Sequence, residues 1–195
     1  MTHPLPDFPP LFPSQEWWRL YICSLLGDVG KDGAMAGSNR KSGVRPRAWM
    51  RFAIERAELS MPVCGGANTL KNYPSASWRL AAQAPREAGK AAATLATVYG
   101  RRPFFQPLAD AFSIPAEEGA SCRDVCLLAF SNIENILGLD DPALLTNINE
   151  KLETGDKTLR QIRTEFATCF KPELSIIDLL ASLGPDAIFA LLPPF

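Results

Sequence analysis

The chain has 195 residues, a formal net charge of −1 and 47% apolar residues, enough for one domain with a real core. No apolar run approaches the ~18 residues that span a bilayer, which argues against membrane insertion. The single histidine, His3, argues against Ser–His or Cys–His catalysis and against a histidine-containing zinc site, so neither metal nor cofactor is expected.

Five cysteines, Cys23, Cys64, Cys122, Cys126 and Cys169, are odd in number and scattered, and do not form a disulfide framework. The net charge hides an asymmetry. Residues 31–102 carry thirteen Lys or Arg against four Asp or Glu, whereas residues 103–195 carry six against fourteen. Such a split creates either a basic face for an anionic ligand or two halves that attract each other.

Residues 1–13 form a Pro-rich arm (Pro4, Pro6, Pro9, Pro10, Pro13), in which neither helix nor central strand is tenable. Phe8, Leu11 and Phe12 are its expected anchors. The arm lacks a basic n-region, so a secretory signal is not expected and a cytoplasmic location is. Ser14 is the N-cap of a helix over 14–26, with Glu16 in its first turn and Gly27 at its end. Trp17 and Trp18 read as core residues before they read as a ligand platform.

Residues 27–47 form a Gly-rich basic loop with Lys31, Arg40, Lys41, Arg45 and Arg47. Backbone N–H groups and cations in such a loop can cradle a phosphate, but neither GxxxxGK[ST] nor GxGxxG is present. Residues 49–54 alternate in the manner of a strand, and 59–63 read as a short strand stopped by Pro62 and Gly65-Gly66. Arg45, Arg47 and Arg51 around Trp49 are the densest basic–aromatic cluster, suited to holding a carboxylate or phosphate bidentately. Without an accompanying nucleic-acid-binding motif, the cluster points to an anionic small molecule rather than to nucleic acid.

Trp78-Arg79 is read as the start of a helical stretch interrupted by Pro85. Residues 86–99 form an Ala-rich helix closed by Gly100, and 104–112 a shorter one. The spacing predicts a helix over 121–137 with Ser121 as cap and Gly138 as stop, a short helix over 142–149 and another over 158–167. In the last stretch, Ser175 caps an apolar helix over 174–183 that Gly184-Pro185 ends, and a second apolar helix follows. Asp178 falls in the first helix, three residues after Ser175, as in a weak capping box. A carboxylate on a mostly buried helix needs a partner, so Asp178 is either a cap or ion-pair residue or a site carboxylate.

Several islands resemble the WbqC-like family in order: Pro13-Ser14-Gln15-Glu16-Trp17, Leu59-Ser60-Met61-Pro62-Val63-Cys64-Gly65-Gly66, Trp78-Arg79, Tyr99 with Pro103-Phe104-Phe105, and Phe170 to Leu180 with Gly184-Pro185-Asp186-Ala187. The last island is the most specific. The chain departs from the family where Trp49 and Met50 stand in an Arg-Asn-Arg element. It departs again where Leu80-Ala81-Ala82-Gln83 follows Trp-Arg without a histidine, and where Ser182-Leu183 replaces Phe-Asn.

The resemblance implies a transferase of bacterial surface-polysaccharide (O-antigen) biosynthesis, using an acyl, aminoacyl or sugar donor. The anionic donor would lie on Arg40, Lys41, Arg45, Arg47, Trp49 and Arg51, with Asp178 as the catalytic acid–base or orienting group. The alternative is a non-catalytic binding or scaffold protein derived from that family. A cleft faced by both Arg51 and Asp178 would favour the enzyme. Asp178 acting as a cap or paired deep in the core, with Arg51 on an exposed face, would favour the scaffold. The expected architecture is one helix-rich α/β domain over 1–195 with a small, partly parallel sheet, an α+β arrangement being the alternative.

Overall fold

A computed structural model describes residues 8–27, 50–65 and 77–192. Helices dominate it, and local signals explain their limits. Helix α1 (Gln15–Leu25) starts where the Ser14 hydroxyl accepts from the Trp17 N–H at 3.3 Å. Helix α2 (Ala84–Tyr99) begins earlier than expected, because Pro85 sits in its first turn, where a missing N–H costs nothing. Helix α3 (Cys122–Leu137) is capped by Ser121 and ended by Gly138 at φ +69°, as its sequence requires.

Helix α4 (Pro142–Thr154) runs longer than its expected eight residues, from the Asp141 cap to Gly155 at φ +66°. Helix α5 (Lys157–Ala167) has Asp156 as its cap, and helices α6 (Ile176–Leu183) and α7 (Ala187–Leu191) close the described chain. The helix expected over 104–112 is reduced to turns and one 3-10 turn at Ala109–Phe112. Pro107 withholds an N–H group that a continuous helix there would need.

The sheet corrects the expected partial parallelism. Strands β1 (Arg51–Ile54) and β2 (Ala57–Ser60) pair antiparallel, from Arg51 opposite Ser60 to Ile54 opposite Ala57. The two-residue turn Glu55-Arg56 allows no other arrangement, since a parallel pair needs a long crossover. Neither turn residue is Gly, Asn or Asp, so the usual hairpin signal is missing.

Beyond β2 the ladder continues as single antiparallel bridges, Val63 to Leu80 and Arg79 to Ser121. The Cys64 N–H donates to the Arg79 carbonyl at 2.8 Å, and the Cys122 N–H to the Trp78 carbonyl at 3.1 Å. Trp78-Arg79 is therefore extended rather than helical. It sits between two other segments, with Trp78 and Leu80 buried.

The core gathers on α6, where Ile176, Ile177, Leu179, Leu180 and Ala181 are all buried. Each of the Ile and Leu side chains contributes roughly 1.5–3 kcal/mol on burial. The end of the Pro-rich arm packs on it as expected, with Phe8, Leu11 and Phe12 buried and Phe12 edge-on to Phe52 at 5.1 Å. Main-chain bonds tie arm, hairpin and α6 together: Ile176 N–H to the Pro13 carbonyl at 3.1 Å and Ser175 N–H to the Ala53 carbonyl at 2.7 Å.

That second bond corrects the capping-box reading. The Ser175 hydroxyl does accept from the Ile177 N–H, but the Ser175 N–H is taken by β1. The Asp178 side chain is thereby released from the cap.

Candidate functional site

Asp178 occupies the first turn of α6 and its side chain is 4% exposed. Oδ2 accepts from Gln15 Nε2 at 3.5 Å and lies 3.7 Å from Lys171 Nζ. Oδ1 has no hydrogen-bond partner. Gln15, fully buried at the start of α1, also accepts from the Lys171 N–H through Oε1 at 2.7 Å. One amide thus holds both the Lys171 loop and the Asp178 carboxylate in place.

Lys171 Nζ also stands 3.8 Å from Glu55 Oε1, in the hairpin turn. The second Glu55 oxygen is 3.5 Å from Arg102 Nη2. Arg102 Nη1 donates to the Ser182 hydroxyl at 2.9 Å, and that hydroxyl donates to the Asp178 carbonyl at 2.9 Å. Two carboxylates and two cations therefore close a charge-balanced circuit across α6, the hairpin turn and the segment after α2.

Tyr99, at the end of α2, belongs to the same cluster. Its hydroxyl accepts from the Glu55 N–H at 3.1 Å. Burial pushes the Tyr99 hydroxyl well above the usual phenol range. The Glu55 N–H works against the shift, and the charges of Asp178 and Glu55, with the Tyr99 O–H turned toward the Asp178 carboxylate, add to it. Tyr99 is therefore a neutral O–H donor at physiological pH.

Arg51 takes no part in this circuit. Its Nη1 pairs with Glu58 Oε1 at 3.0 Å, and both side chains are about half exposed. The expected anion-binding residues Arg40, Lys41, Arg45, Arg47 and Trp49, and Lys31 in the same loop, lie outside the described residues. Asp178 was legible as a buried carboxylate in need of a partner, and Ser182 shares its stripe of the helix. Gln15, Glu55, Tyr99, Arg102 and Lys171 carried no signal for a common site, because they come from distant parts of the chain.

Other polar and sulfur groups have plainer roles. Trp18 is fully buried and stacks on Phe130 at 4.8 Å, while the Tyr21 hydroxyl donates to Glu134 Oε1 at 2.6 Å. The tryptophan pair thus serves the core at the α1–α3 contact. Burial pushes the Cys122 thiol up to about 11, with a contribution from Cys64, and raises that of Cys126 as well. Neither is a thiolate at neutral pH.

Among the described residues no group of three or more His, Cys, Asp or Glu could hold a metal ion, and no helix is long and apolar enough to cross a membrane. No model of a known family matches the chain, and no curated protein or solved structure matches it.

Proposed function

We propose that this chain is a non-catalytic binding protein related to the WbqC-like family, with the cluster around Asp178 as its binding site. One observation carries the reading. Asp178 is 4% exposed and engaged by Gln15 and Lys171, whereas Arg51 is paired with Glu58 on an exposed face. The acid–base group and the nearest donor-binding arginine thus belong to different surroundings, and concerted group transfer needs them together. The family relation rests on the order of the sequence islands.

Thermal-shift screening with nucleotide sugars and acyl or aminoacyl donors, followed by product analysis, tests this reading. A ligand that binds the folded state raises the midpoint. The expected result is stabilisation by a ligand without turnover. Product formation that is lost in Asp178→Ala would overturn it.

A second reading keeps the transferase of surface-polysaccharide biosynthesis, cytoplasmic, with an anionic donor on Arg40, Lys41, Arg45, Arg47, Trp49 and Arg51. It is favoured by the unpartnered Oδ1 of Asp178, an acceptor beside a lysine and a neutral tyrosine. Such an oxygen is suited to taking a proton from an acceptor hydroxyl. On this reading Asp178→Ala lowers kcat/KM by roughly 10²–10⁴, the usual worth of a general base. Wild-type rates in both Asp178→Ala and Arg51→Ala would remove the two residues from the site.

A further inference from the structure

Strand β2 has one edge paired and one edge open. In an antiparallel hairpin, pairs that exchange main-chain bonds alternate with pairs that do not. The Met61 N–H donates to the Met50 carbonyl at 2.9 Å, so in this register the bonded pairs are Met61–Met50, Leu59–Phe52 and Ala57–Ile54. The main-chain N–H and C=O groups of Glu58 and Ser60 therefore point away from β1. Among the described residues nothing takes them. On the outer edge of β1, by contrast, the Ala53 carbonyl accepts from the Ser175 N–H at 2.7 Å.

The open stretch continues a ladder that is already built. Directly beyond it, on the same edge, the Ala81 N–H donates to the Pro62 carbonyl at 3.0 Å and the Cys64 N–H to the Arg79 carbonyl at 2.8 Å. The 79–81 segment then turns off to start α2 at Ala84, leaving Glu58 and Ser60 in line with it. Where the chain departs, a cleft of about 620 Å³ opens, with Ser60, Pro62, Val63, Ala81, Gln83 and Glu87 in its lining. Glu58 and Ser60 are both exposed.

These groups define the occupant. Main-chain donors and acceptors repeating at every second residue are met by extended main chain. A residue facing Glu58 projects to the same side as that carboxylate, and one facing Leu59 projects to the side where Leu59 packs on the core. Glu87 is the one charged residue among the described lining of the cleft. Glu58 and Glu87 are held through Oε1 by Arg51 and Lys90, in exposed pairs of little strength. Both carboxylates thus favour a basic side chain, and Leu59 an apolar one. The first turn of α2 walls the cleft, and short length and an exposed glutamate guard an edge against a like strand. A single segment fits there better than the hairpin of a second copy.

We propose that the outer edge of β2, with the cleft at the start of α2, binds an extended segment of a partner protein in which apolar and basic residues alternate. The segment adds a strand in line with 79–81. None of these residues belongs to the Asp178 cluster, and the binding asked of them is independent of its role.

The test is an NMR titration of the full chain with a capped hexapeptide of alternating valine and lysine. Its comparators are a valine–glutamate version and a valine–lysine version N-methylated at the lysines, which lacks the N–H donors that face Glu58 and Ser60. Saturable shifts are expected at 58–60 and 83–87. The Glu58 and Ser60 amides should exchange fast in the free chain and slow on binding. Neither comparator should saturate. Ser60→Pro removes an outward N–H and none of the β1–β2 bonds. It should keep the wild-type spectrum elsewhere and bind about tenfold more weakly, the effect of one lost hydrogen bond.

The proposal is overturned if the valine–lysine peptide does not saturate, if either comparator binds as well, or if Ser60→Pro binds as the wild type does. Protection of the Glu58 and Ser60 amides in the free chain would overturn it too. The methylated peptide needs no change in the protein, so it decides the matter if Ser60→Pro fails to fold. A dimer that forms with rising concentration and shifts the same amides without peptide would assign the edge to a second copy and sink the proposal.

Discussion

Two carboxylate–cation pairs in this protein are instructive side by side. Arg51 and Glu58 meet at 3.0 Å on the exposed face of the hairpin, whereas Lys171 and Asp178 stand 3.7 Å apart with the carboxylate almost fully buried. The shorter pair is the weaker one. Water screens two half-exposed charges and competes for their hydrogen bonds, so such pairs contribute roughly 0–1 kcal/mol. The buried carboxylate has no water to fall back on, so every neighbour that it keeps or loses counts. Distance alone is a poor guide to energetic weight; the surroundings decide.

The contrast can be broken most severely at the end of α6. Gly184 sits at φ +57°, and a Cβ there would come within 2.5 Å of the Phe104 ring. Gly184→Ala should cost about 3 kcal/mol or more in urea unfolding, through backbone strain and overpacking combined. A cost below about 1 kcal/mol would show that α6 is not held as tightly as its burial implies.

Next in size is Asp178→Ala, expected to destabilise by about 2 kcal/mol, since Gln15 and Lys171 lose their partner and a buried space opens. Denaturation midpoints with unchanged m-values measure it. Stability equal to wild type would mean that the carboxylate is retained for a ligand alone.

Buried and exposed groups should also separate at alkaline pH. The Cys122 thiol is raised from 9.0 to about 11 by burial, and the hydroxyls of Tyr99 and Tyr21 are raised in the same direction. A group whose folded pKa is raised holds its proton more tightly when folded. Its stabilisation is fully present below the unfolded pKa and is lost as pH rises toward the folded value. Stability should therefore be flat near neutrality and fall as pH climbs from about 9 to about 11, and Cys122→Ala should lessen that fall. Urea midpoints across this range, compared between wild type and variant, decide the matter. The smallest effect belongs to the exposed pair: a double-mutant cycle on Arg51 and Glu58 should return a coupling below about 0.5 kcal/mol.

Much of the helical framework was legible residue by residue. Ser14, Ser121 and Ser175 cap the helices that their positions announce, and Gly138 and Gly184 end theirs. The hairpin was not, because Glu55-Arg56 carries none of the usual turn residues. Nor was the extended Trp78–Leu80 segment, whose conformation is imposed by hydrogen bonds to residues on both sides of it. At the site, Asp178 was legible only as a carboxylate needing a partner.

What the sequence determined by itself is therefore local. Caps, stops and apolar spacing act within a turn or two of helix, and their physics needs no distant residue. What only the tertiary structure decided is the company Asp178 keeps: Gln15 lies 163 positions away, and Glu55, Tyr99 and Arg102 arrive from the hairpin and the end of α2. The Ser175 N–H turns to β1, and this frees Asp178 from a capping role and leaves its carboxylate to that cluster. Side chains converge this way only when apolar burial folds the chain back on itself, because burial is non-directional and sets which surfaces meet without regard to their order in sequence.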